Sequence, residues 1–125
     1  LSLGRFEDGK KNGIYALDLA SGESHLLASS VPGEIAGTRF GAWVFDPEVL
    51  KWGNQQLIKL LDTDLLVLDE LGPLEFTLNL GWTASFELLK QKNFRFALVV
   101  IRPECLEQFS KLGMPIWGMS KFSAK

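Results

Sequence analysis

The run Leu65 to Glu75, Leu-Leu-Val-Leu-Asp-Glu-Leu-Gly-Pro-Leu-Glu, limits the possible folds of this chain more than any other stretch. Four consecutive apolar residues, Leu65 to Leu68, follow the polar Asp62-Thr63-Asp64. A short apolar run without polar alternation fits a strand buried on both faces, the signature of a parallel sheet. A buried helical turn has the same local appearance. The helix signals before the run and the Gly72-Pro73 pair after it favour the strand. The run therefore predicts a buried strand that delivers Asp69 and Glu70 to the edge of an α/β sheet.

The flanking sequence supports that setting. Asp46-Pro47-Glu48 starts a helix. Asp46 caps free N–H groups, Pro47 suits the first turn, and Glu48 favours the positive end. That helix is expected to run to about Leu61, with Gly53-Asn54 marking a kink or a close contact in its middle. Gly81 to Gln91 is a second helix candidate. Phe94 to Ile101 is a second core strand, Pro103 to Leu112 a third helix ended by Gly113, and Ile116 to Met119 a short last strand. Helix and strand alternate over residues 47 to 119, which implies crossover units on a mostly parallel sheet with helices on both faces.

The first 45 residues read differently. Ile14 to Asp18 and His25 to Ser29 are short strands, and the polar run Glu7 to Gly13 ends in Asn-Gly, which suits a hairpin turn. Arg39 to Phe45 is a further strand candidate. Antiparallel pairing is expected. The 125 residues form one domain by size, with a β-rich hairpin region over 1–45 and helix–strand units over 46–125.

Composition excludes several classes. With 46% hydrophobic and 22% charged residues the chain fits a soluble globular protein. A net charge of -2, from 13 basic and 15 acidic residues, gives no footprint for nucleic acid or an anionic membrane surface. No stretch approaches a membrane span and no signal peptide is present, so an intracellular, cytoplasmic location is expected. The single cysteine, Cys105, excludes an intrachain disulfide and reads as a buried structural thiol. The chain opens on Leu1 without an initiator Met, so upstream sequence is expected.

Chemistry concentrates at Asp69 and Glu70. Ligands of open parallel sheets collect beyond the carboxyl ends of the strands, and a charge buried there without a partner is costly. Mg²⁺ or its water shell would satisfy Asp69, and Glu70 would then orient or activate water for attack on phosphorus. An apolar run ending in Asp-Glu is the usual end of a Walker B strand. A structural acidic pair capping a loop is the competing reading. The companion phosphate cradle, G-x-x-x-x-G-K-[ST], does not occur between Leu1 and Lys125.

Leu65 to Phe76 resembles the Walker B region of the nucleoside-triphosphatase family known as THEP1 or cancer-related NTPase. Members carry Asp-Glu-x-Gly-Pro-x-Glu after an apolar strand, matched here by Asp69, Glu70, Gly72, Pro73 and Glu75. Gly13 to Leu19 with Ser21-Gly22-Glu23 resembles the β-rich insertion of that family. The resemblance implies a RecA-like P-loop fold whose P-loop unit lies ahead of this chain. It also implies Mg²⁺-dependent hydrolysis of ATP or GTP to the diphosphate and phosphate. Asp69 would serve the Mg²⁺ and Glu70 the water, and Glu75 would fix the loop or approach the nucleotide. A non-catalytic relative, with a partner or a second copy covering the place of the P-loop unit, is the alternative.

Other residues carry weaker signals. Arg102, ending the second core strand, either meets phosphate on the edge of Asp69 or pairs with Glu104 at the surface. His25 reads as solvated or packed. Glu34 and Arg39 lie in a loop within reach of a ligand. The four tryptophans fit packing better than base stacking, and Trp82 is the best placed of them to line a pocket.

Overall fold

The computed structural model describes residues 1–113, so the strand expected over Ile116 to Met119, and Trp117 within it, lie outside the described residues. Strands β1 (Ser2–Glu7) and β2 (Lys10–Leu17) form an antiparallel hairpin. Its turn is Asp8-Gly9, with φ of 49° and 75°, the two positive values that a tight type I′ turn needs. The turn lies within the polar run Glu7 to Gly13 that the sequence marked for it, but not at the Asn12-Gly13 pair that ends the run. Those residues sit inside β2, opposite an irregularity between Arg5 and Phe6. A Cβ on Gly13 would lie 2.8 Å from Arg5 Nε, so glycine there serves close approach of a side chain.

Strand β3 (Ser24–Ser29) pairs with β2 and with β5 (Trp43–Phe45), and β4 (Thr38–Phe40) pairs with β5. The five-stranded sheet has the order β1-β2-β3-β5-β4, antiparallel throughout. The single strand expected over Arg39 to Phe45 is thus two short strands. Gly41, at φ 61°, reverses the chain between them.

One carboxylate helps tie the 30–37 loop to this sheet, beside the bond from the Ser30 N–H to Asn12 O at 3.1 Å. Glu34 accepts both Arg5 Nη1 and Nη2 at 2.7 Å, and the Ser29 hydroxyl donates to it as well. The Arg5 guanidinium first, and the Ser29 hydroxyl second, hold the Glu34 carboxyl down at about 2. A free glutamate titrates near ~4.3, so the folded state favours the charged form. This stabilisation is complete above the unfolded pKa and is lost as pH falls from there through about 2. Melting temperature followed from pH 5 to 2 should therefore fall less steeply for Glu34→Gln than for the parent chain.

Helix α1 (Pro47–Ile58) begins as the sequence predicts, with Asp46 Oδ1 accepting the Glu48 N–H at 2.9 Å. It stops before Leu61, and Ile58 and Leu61 are left at 70% and 77% exposure. Leu50, Gly53, Leu57 and Leu60 recur at three- and four-residue intervals along one stripe. That stripe bridges two cores. Leu50 packs with Ala16, Leu27 and Ala28 of the antiparallel sheet, while Leu57 and Leu60 pack against Leu66 and Leu68.

Strands β6 (Thr63–Leu71) and β7 (Phe94–Ile101) form a parallel pair, joined through helices α2 (Pro73–Phe76) and α3 (Ala84–Gln91). After β7 come a single 3₁₀ turn, Pro103–Cys105, and helix α4 (Leu106–Lys111). Gly113 follows at φ 65°. The expected strand over Leu65 to Glu75 ends at Leu71, because Pro73 opens a helical turn instead. Helix α3 starts after Gly81, whose φ of 71° is not helical.

The molecule is a mixed α/β fold. Among the described residues its parallel part is two strands and its antiparallel part is five, so the parallel share is smaller than the alternation of helices and strands implied. The expectation of burial on both faces is also corrected. Leu66 and Leu68 are 2% and 3% exposed, packed against Leu88, Leu89 and Phe109 of α3 and α4. On the alternate positions Leu65, Phe96, Leu98 and Val100 are about half exposed or more. Helices cover one face of the pair, and the other presents bare apolar side chains.

Candidate functional site

The two acids at the end of β6 leave the strand in different directions. The β6–β7 register shifts between Leu68 and Leu71, and Glu70 takes φ 63°. This is a bulge, with the extra residue placed in the left-handed region that costs a side chain roughly 1–2 kcal/mol. Asp69 continues the alternation of Leu65 and Val67, and its Oδ2 accepts the Ser2 N–H at 2.9 Å. Glu70 turns out to solvent and meets Arg102 Nη1 at 3.3 Å. Asp8, Asp62, Asn79 and Lys92 also take positive φ, and at Glu70 this backbone re-aims a carboxylate at the strand end.

Arg102 stands at the end of the neighbouring strand, as the sequence reading placed it. Its N–H donates to Leu71 O at 2.9 Å, and its Nη2 pairs with Glu104 at 3.2 Å. The guanidinium shares the edge of Glu70 and pairs with Glu104, which is the second of the two alternatives. Glu70, followed by Glu104, raises the Arg102 pKa further, so the group is a permanent cation. Gly72 packs under the arginine stem, where a Cβ would lie 2.8 Å from Arg102 Cγ.

Asp69 also borders a cavity of about 280 Å³ between the antiparallel sheet, α1 and β6. Ala16, Trp52, Gly53, Val67 and Trp82 line it, so Trp82 does face a pocket as the sequence suggested. Its ring lies against Gly53, where a Cβ would be 2.2 Å from Trp82 Cζ3. The expected close contact in the middle of α1 is this one.

Glu75 is 5% exposed, and both carboxylate oxygens are engaged by backbone. Oε2 accepts the Gly72 N–H at 2.9 Å, and Oε1 accepts the Trp82 N–H at 3.0 Å. Burial pushes its pKa up, against the pull of those two bonds. Of the two roles the resemblance implied for it, loop fixing matches this geometry. Sequence reasoning missed its counterpart, Asn54. The Asn54 amide donates to Leu50 O at 3.0 Å and to Gly81 O at 2.8 Å, and its oxygen accepts the Ala84 N–H at 2.9 Å. The available signal was a Gly-Asn pair inside an otherwise regular helix.

The remaining candidates lie elsewhere. His25 stacks edge-on against Trp52 at 4.4 Å and bonds Glu23. Glu34 is occupied by Arg5, and Arg39 is exposed on β4. Cys105 is buried, and burial raises its thiol pKa. Among the described residues no three His, Cys, Asp or Glu side chains gather as a metal site, and no helix is long and apolar enough to cross a membrane.

A parallel strand ending in two divergent acids, beside an arginine from the next strand, is an arrangement suited to phosphate chemistry. The chain is related to the nucleoside-triphosphatases of the THEP1 type. It is 30% identical over 108 residues to nucleoside-triphosphatase THEP1 of Thermococcus kodakarensis, a match that takes in 84% of this chain. The chain spans 59% of the length of that relative. No family model and no solved structure matches it.

Proposed function

We propose that the complete protein hydrolyses a nucleoside triphosphate, ATP or GTP, to the diphosphate and phosphate with Mg²⁺, and that this chain supplies the Walker B half of the site. The observation that carries the reading is the divergence of Asp69 and Glu70 at the β6 bulge in a chain related to a triphosphatase. Asp69 forms no ion pair among the described side chains and keeps lone pairs beyond its bond to Ser2. That suits Mg²⁺, which is held by one or two carboxylates together with waters and substrate phosphates. When bound, the ion would neutralise charge on the phosphate oxygens.

The chain's own residues would do the rest. Glu70 accepts a hydrogen bond from the attacking water and draws off its proton as the oxygen bonds to the terminal phosphorus. The bond from that phosphorus to the bridging oxygen breaks, and the electron pair leaves with the diphosphate. Arg102, shared between Glu70 and Glu104, would contact phosphate from the same edge. The cradle for the phosphates would come from a P-loop unit outside Leu1 to Lys125. Such a unit, completing a RecA-like sheet, would cover the bare face of Leu65, Phe96, Leu98 and Val100.

The test is phosphate release by the full-length protein from ATP and GTP, with and without Mg²⁺. Asp69→Asn should abolish the Mg²⁺-dependent part, a loss on the order of 10²-fold or more. Unchanged turnover would remove Asp69 from the site. The bare apolar face also supports a second reading, a non-catalytic domain whose exposed strands are covered by a partner or a second copy. That reading expects no phosphate release and no rise in melting temperature with nucleotide.

A further inference from the structure

We infer that Glu75, Asn54 and Trp82 form one brace that fixes the Asp69–Glu70 strand end to helix α1, and that Glu75 is a positioning residue rather than a nucleotide ligand. The inference rests on the hydrolytic reading for its kinetic consequences and on geometry for the brace itself.

The chain of contacts is continuous. Gly72 follows the bulged Asp69-Glu70-Leu71 segment directly, and its N–H is held by Glu75. Leu71 is held in turn by the Arg102 N–H. The other oxygen of Glu75 holds Trp82, whose ring rests on Gly53 of α1. Asn54, the next residue along α1, binds the backbone on both sides of Trp82, through Gly81 O and the Ala84 N–H. No part of this set has slack. A Cβ on Gly81 would lie 2.2 Å from Glu75 Oε1, and one on Gly53 would lie 2.2 Å from the Trp82 ring.

The chemistry of Glu75 fits a brace and not a ligand. It is a buried acceptor facing two backbone donors, and both oxygens are taken. Displacing the bond to Gly72 to reach a nucleotide would leave a buried N–H unpaired, which costs about 1–3 kcal/mol. A carboxylate is also the wrong charge for a phosphate. Its value lies in holding Gly72, one residue beyond the bulge, so that Glu70 keeps its left-handed backbone and its outward aim. A shift of about an ångström in a catalytic group is enough to cost on the order of 10²-fold in rate.

Glu75→Gln is the sharpest variant. It keeps the shape but turns one acceptor into an NH₂ that faces an N–H. In the full-length protein it should lower kcat at least about tenfold while KM stays within about threefold, and Glu75→Asp, which keeps two acceptors, should recover part of the loss. Amide exchange followed by NMR in the nucleotide-free protein reads the brace without turnover. Glu75→Gln should speed exchange at Gly72 and Trp82, and also at Ala84, which Glu75 does not touch. Should Glu75→Gln fail to fold, Asn54→Ser carries the same readouts.

A raised KM with unchanged kcat would make Glu75 a direct ligand and overturn the proposal. Unchanged exchange at Ala84 would show that the contacts are not one unit, and would overturn it equally. A wild-type protein that releases no phosphate would sink the hydrolytic reading and the kinetic role with it. The exchange arm would still decide whether the brace exists.

Discussion

Glu70→Gln in the full-length protein should lower kcat for nucleoside-triphosphate hydrolysis by about 10²- to 10⁴-fold, the range that a positioned base contributes. Glutamine has the same length and still offers an oxygen to Arg102 Nη1, which glutamate contacts at 3.3 Å. It keeps the bulge and the aim of the side chain, and removes only the capacity to take a proton. KM should therefore stay within about threefold, because the lost interaction belongs to the transition state. The competing account makes Glu70 a half-exposed surface partner of Arg102. An exposed pair of that kind contributes roughly 0–1 kcal/mol to stability and nothing to turnover. Single-turnover rates with and without Mg²⁺ separate the two accounts. A kcat within about twofold of the parent would leave Glu70 as a surface ion pair.

The elements that local chemistry dictates were legible in the sequence. Asp46 as a cap, Pro47 in the first turn and the apolar run of β7 over Phe94–Ile101 all stand where the residues put them. The exact position of the turn within Glu7 to Gly13 was not, because two dipeptides, Asp8-Gly9 and Asn12-Gly13, satisfy the same turn chemistry. Tertiary packing chose between them, since Gly13 had to make room for Arg5. Burial of β6 was overstated for a related reason. An unbroken apolar run implies cover on both faces, and in this chain Leu65 lies 54% exposed opposite the buried Leu66. The site was half legible. The placing of Asp69, Glu70 and Arg102 at adjacent strand ends follows from counting along β6 and β7. The role of Asn54 does not, because its partners, Gly81 and Ala84, are 27 and 30 residues away and only the fold brings them near.

Gly81→Ala should be among the most destabilising single changes available to this fold, by roughly 3 kcal/mol, and it needs no assumption about activity. Three costs coincide at this position. The backbone has φ 71°, where a side chain loses about 1–2 kcal/mol. The added methyl would lie 2.2 Å from Glu75 Oε1, 2.7 Å from Glu75 Cδ and 3.1 Å from Leu74 Cδ2. Leu74 is also buried, so neither neighbour can swing to solvent. Displacing Glu75 would break its bonds to Gly72 and Trp82 and leave a carboxylate in the core without partners. For a chain of this size the change should lower the melting temperature by about 10 °C or more. Gly9→Ala is the control, since Gly9 shares a positive φ of 75° but a Cβ there would meet no atom within 4 Å. It should lose only the backbone contribution, about 1–2 kcal/mol. Equal losses in the two variants, measured by denaturant unfolding, would show that backbone strain alone governs Gly81 and that the contact with Glu75 yields without cost.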